Sequence, residues 1–135
     1  MRIESGLEKE ISLKVSAFLS EQLGEIQCES TTYITDDLLT LYIRNCFTQA
    51  EKSFVKNPDN YRKIADFKER QLDATKPALK VIFEKLTGSE VEEIYSLFTQ
   101  DGDRFFIVNL QREIPAERKH RKYKAPNEPA RQSGY

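Results

Sequence analysis

The residues able to do chemistry in this chain of 135 residues are few and scattered. His120 is the only histidine, so a Ser-His-Asp relay or a histidine-rich metal site has little to build on. It stands in the run RKHRKYK, where a solvated surface role is expected. Cys28 and Cys46 lack C-x-x-C spacing and a second ligand pair, so their pattern does not define a zinc site. Without an export signal they are expected to be reduced and to pack as small apolar side chains. Asp36, Asp37, Asp101 and Asp103 fall at two turn signals. They could share a cation only if the two turns met in space, and turn chemistry accounts for each aspartate alone. No catalytic, cofactor-binding or metal-binding residues are therefore assigned, and no enzyme is expected.

The remaining chemistry is electrostatic. The net charge of -1 hides an uneven spread. From Arg112 onward there are seven Lys/Arg and three Glu, a net of +4, which leaves -5 on the first 111 residues. Arg118, Lys119, Arg121, Lys122 and Lys124 surround Tyr123 in a basic cluster that could hold phosphates or an anionic surface. No zinc finger, RNP signature or GXXG loop accompanies it. A solubilising tail is the simpler reading.

These residues must be positioned by regular elements. Ser5-Gly6-Leu7-Glu8 forms an S-x-x-E capping box, and Leu7, Ile11, Val15 and Phe18 follow on one helical stripe up to Gly24. Glu25 to Thr35 alternates with period two, as does the segment after Asp36-Asp37, where Leu39, Leu41 and Ile43 share a face. A β-hairpin results. Thr48 to Glu51 is a second capping box, predicting a short helix from Gln49 to Lys56. Asn57-Pro58 can open another helix running to Leu86, with a stripe of Tyr61, Ala65, Leu72, Leu79 and Leu86 interrupted by Lys68 and Thr75. Pro77 predicts a kink or break near Thr75-Pro77. Beyond Gly88, Val91 to Phe98 reads as a strand with Val91, Tyr95 and Leu97 on one face and Ile94 and Phe98 on the other. Asp101-Gly102 turns the chain into FFIVNL, expected to be central and buried on both sides.

The fold class is thus α+β: helix-strand-strand-helix-helix-strand-strand, a four-stranded, mainly antiparallel sheet with helices on one face. Residues 1–111 form one domain, and 112–135 a basic, proline-containing flexible tail. A sheet covered on one face leaves the other for solvent or association, and Phe105, Phe106, Ile107 and Val108 are the candidate self-association strand. The N-terminus lacks an apolar secretory core, and no run of 18 apolar residues could form a spanning helix, so a cytoplasmic location is expected.

YITDDLLTLYIR, FTQAEKSF, EKLTGSEVEEIYSLF and RFFIVNL also follow one another as in a small bacterial family. This family is labelled after the third component of a Na+-translocating membrane-potential-generating system, and the chain resembles it (MpsC-like) over Leu7 to Leu110. Tyr33, Asp37, Leu41, Thr48, Glu51, Leu86, Thr87, Gly88 and Val91 fall at matching places. Two features depart from the pattern. Leu23-Gly24-Glu25-Ile26 keeps one glycine of a Gly-x-Gly-Pro-like segment, and Ile94 to Phe98 replaces a His-Ser-Asp group, so a role for that group does not carry over. The resemblance implies a link to ion or bicarbonate movement at a membrane. Together with the missing catalytic constellation, it points to a non-enzymatic accessory or regulatory protein, a homodimer acting through contacts with itself or a protein partner. The alternative is a nucleic-acid or anionic-surface binder that uses the basic cluster.

Overall fold

A computed structural model describes residues 3–25 and 28–120. Helix α1 (Gly6–Leu23) begins at Ser5, whose hydroxyl accepts from the Glu8 N–H while the Glu8 carboxylate accepts from the Ser5 N–H. Gly24 closes the helix at φ 72°, a left-handed conformation that a side chain would strain. Leu7, Ile11, Val15, Phe18 and Leu19 are buried, so the stripe faces the core as its spacing requires.

Strands β1 (Glu29–Thr35) and β2 (Leu38–Arg44) form the first hairpin, with Thr32 opposite Leu41. The strand starts later than the alternation from Glu25 suggests, because Glu25 is drawn into the interior by ion pairs. The Asp36-Asp37 turn manages without glycine by placing Asp36 at φ 55°, which a short carboxylate tolerates. Helix α2 (Gln49–Phe54) is capped by Thr48 and Glu51 in the expected reciprocal manner, ending two residues before Lys56.

Helix α3 (Pro58–Thr87) is uninterrupted for 30 residues, so of the kink or break expected near Pro77 the break does not occur. Pro77 is exposed, which leaves the Asp73 carbonyl that it orphans on the solvent side. Leu72 and Leu79, both fully buried, anchor the turns on either side of it. Gly88 ends the helix at φ 76°.

Strands β3 (Val91–Phe98) and β4 (Arg104–Leu110) complete a fully antiparallel sheet in the order β1-β2-β4-β3. Beta4 is central, as expected. It is not buried on both sides: Arg104, Phe106, Val108 and Leu110 are buried, while Phe105, Ile107 and Asn109 are half-exposed. In β3, a bulge between Val91 and Glu93 inserts one residue. This shifts the alternation, so Val91 faces the core with Ile94, opposite to Tyr95 and Leu97. Helix α1 packs on β1 and on α3, and α3 packs on β3, so both long helices lie on one face.

The expected flexible tail needs correction over its described part. Ile114 is buried, Arg112 N–H donates to Ser89 Oγ (3.1 Å), and a one-turn helix α4 (Ala116–Lys119) packs against α1. The folded unit therefore extends past residue 111 to at least His120. Residues 121–135 lie outside the described residues.

Candidate functional site

Where α1 ends and β1 begins, charged side chains meet inside the protein. Gly24 turns the chain back, Glu25 N–H donates to the Leu19 carbonyl (3.2 Å), and the Glu25 side chain is buried. Glu25 Oε2 accepts from Arg104 Nη2 (3.3 Å) and Lys68 Nζ (3.5 Å). Lys68 also pairs with Glu51 Oε1 (3.4 Å), the same oxygen that caps α2 through Thr48 N–H. Arg104 Nη1 reaches Glu69 Oε1 (3.4 Å) and Ser96 Oγ (3.2 Å), and Ser96 Oγ donates to Glu69 Oε1 (2.9 Å). The Arg104 guanidinium lies 4.3 Å from the Phe98 ring centre and 5.4 Å from that of Phe106, contacts that suit a planar, weakly hydrated cation. Its Nε is buried without a partner among the described residues. Three carboxylates and two cations make the cluster's net charge -1 (Glu25, Glu51 and Glu69 against Lys68 and Arg104).

The two cysteines complete this neighbourhood. Cys28 Sγ lies 3.8 Å from Cys46 Sγ and 3.7 Å from Glu25 Oε1, and both thiols are free. Cys46 is buried, with its Sγ 3.6 Å from the Ile43 carbonyl. Its thiol is held well above the ordinary range by the contact with Cys28, by burial and by the Glu25 charge, so it stays neutral. A pocket of about 400 Å³ opens onto this edge, lined among others by Glu25, Asn45, Cys46, Glu51, Phe67 and Lys68.

Sequence spacing did not reveal this cluster. Glu25 read as a strand residue, but it directly follows the Gly24 stop. Lys68 was visible only as an interruption of the apolar stripe of α3, because ion pairing lets it occupy a core-facing position. Arg104 falls two residues before Phe106, on the alternation of the buried face of β4.

Except for the two cysteines, the residues singled out for chemistry are placed apart. The β1–β2 turn sits beside the end of β4, where Leu110 N–H donates to the Asp37 carbonyl (2.9 Å). The β3–β4 turn sits at the opposite end of the sheet, beside Arg44, so the four aspartates do not converge. Asp103 instead accepts from Tyr42 Oη (2.7 Å) and from Asn45 N–H (3.3 Å). That hydrogen bond, more than burial, raises the Tyr42 pKa, and Tyr61 is raised by burial and then by the Glu69 charge. His120 caps α4 and is exposed. Arg118 Nη1 donates to the Lys85 and Leu86 carbonyls (3.2 and 3.1 Å), so it serves the end of α3. Lys119 is half-exposed, and Arg121, Lys122 and Lys124 lie outside the described residues.

The self-association strand divides in two. Phe106 and Val108 are fully buried in this chain's own core. Phe105 and Ile107 point to the other sheet face, where the register forms the rows Thr31-Tyr42-Phe105-Leu97 and Tyr33-Thr40-Ile107-Tyr95. The Tyr42 and Phe105 rings stack at 4.8 Å, and Tyr95 and Leu97 are 54% and 52% exposed.

The fold and these surfaces define an α+β domain with a buried charged cluster and an aromatic sheet face that no other described element covers. Among the described residues, no helix is long and apolar enough to cross a membrane. The family model described as Na+-translocating membrane potential-generating system (MpsC) matches residues 4–112, and the chain belongs to this family. No curated protein and no solved structure matches it.

Proposed function

We propose that this chain is a non-enzymatic accessory or regulatory protein acting through protein–protein contacts, as a cytoplasmic homodimer, on behalf of a membrane system that moves ions or bicarbonate. The family name supports the link to a Na+-translocating system. The observation that carries the contact reading is the sheet face that no other described element covers. Tyr33, Tyr42, Tyr95, Leu97, Phe105 and Ile107 spread across all four strands, on the side opposite α1 and α3. Aromatic residues dominate it, and aromatic side chains supply most of the energy in protein interfaces. A second copy related by two-fold symmetry would set the same patch against itself.

Light scattering tests this reading over a range of concentrations. The native chain should be a dimer, and the combined Tyr95→Glu and Leu97→Glu variant a folded monomer, because both side chains are already half-exposed. A native chain that stays monomeric throughout, or a variant that remains dimeric, would overturn it.

A further inference from the structure

The geometry points to a binding site for a thiophilic divalent metal ion, zinc in chemical class, formed by Glu25, Cys28 and Cys46. One ligand atom from each lies within 4.8 Å of the others. A tetrahedral ion with Zn–S bonds of about 2.3 Å sets its two sulfurs about 3.8 Å apart, and sulfur and carboxylate oxygen about 3.5 Å apart. The corresponding distances here are 3.8 Å between Cys28 Sγ and Cys46 Sγ, and 3.7 Å between Cys28 Sγ and Glu25 Oε1. Two of the three edges thus already match tetrahedral spacing, and the third, between Cys46 Sγ and the Glu25 carboxylate, lies within 4.8 Å, so a small turn of one side chain closes the set.

The surroundings supply what such an ion needs. Glu25 is oriented by Lys68 and Arg104, which both engage Oε2 and leave Oε1 turned toward Cys28. Outer partners of this kind fix the direction of a ligating carboxylate. Binding requires both thiols to lose their protons. Two protons leave as one divalent ion enters, so the cluster keeps its net charge of -1 and the interior gains no charge. Glu25 and Cys46 also line the pocket, which gives the ion a path in and leaves its fourth position for water or another ligand.

The test uses the full chain, stripped with a chelator under reductant and titrated with Co2+ and then Zn2+. One Co2+ per chain should bind with a near-ultraviolet sulfur-to-cobalt charge-transfer band, and Zn2+ should abolish that band. Zn2+ should also raise the melting temperature. Cys28→Ser should lose both effects while keeping its circular dichroism, since Cys28 is only half-buried and lies outside the regular elements. The site is overturned if no band develops while both thiols remain titratable, or if Cys28→Ser binds Co2+ with the same band.

Discussion

Arg104 has no solvent exposure, yet it carries a charge that water would otherwise stabilise. It is tolerated because Glu25, Glu69 and Ser96 surround its guanidinium and two aromatic rings flank it. Removing one member of a buried pair leaves the other desolvated and unmatched. Arg104→Met should therefore lower unfolding free energy by about 3–5 kcal/mol in urea titrations. Adding Glu25→Gln should bring the total below the sum of the two single changes, because it removes a buried carboxylate that has lost one of its two cations. Strict additivity, or a negligible cost for Arg104→Met, would show that the network does not act as a coupled unit. Lys68 illustrates why such residues escape a reading of periodicity. A polar residue on an apolar stripe marks either a gap in the core or a charge with buried partners, and the partners come from α2 and the loop before β1.

At the scale of elements, local signals performed well where short-range chemistry decides. Both capping boxes formed, Gly24 and Gly88 closed their helices, and Asn57 with Pro58 opened α3. Signals failed where a distant contact opposed a local preference. Pro77 is disfavoured inside a helix, but Leu72, Leu79 and Phe83 are buried around it and α3 continues through it without a break. Pro77→Ala restores an N–H donor for the Asp73 carbonyl and should stabilise the protein by about 1–3 kcal/mol, read as a higher thermal midpoint. No gain would mean that the helix is already fully compensated at that turn. The bulge in β3 is a second case. Alternation placed Val91 with Tyr95, and one additional residue reversed the parity so that Val91 joined Ile94 inside.

For the whole molecule, the C-terminal correction has a measurable consequence. A chain ending at Gln111 would lose Ile114 from the core and Arg118 from the end of α3. Burial of one aliphatic side chain contributes about 1.5–3 kcal/mol, and a pair of hydrogen bonds to exposed helix carbonyls adds about 1. Truncation should thus cost about 2–4 kcal/mol in chemical denaturation. Truncation without cost would return residues 112–120 to the status of an independent tail. The aromatic sheet face belongs to the same scale, because it exists only once four strands from two distant hairpins lie side by side.

Sequence by itself determined the α+β class, the order of the main elements, the helix ends and the buried stripe of α1, since each depends on neighbours within a few residues. The family resemblance was likewise carried by such local segments. Tertiary structure alone decided the strand order, the course of residues 112–120, and the meeting of Glu25, Cys28, Cys46, Lys68 and Arg104. Those outcomes depend on contacts between residues as far apart as Glu25 and Arg104, where burial converts an unfavourable isolated charge into a paired one. The two cysteines show this most plainly: 18 residues apart and without a recognised spacing, they are brought to 3.8 Å by the pairing of β1 with β2.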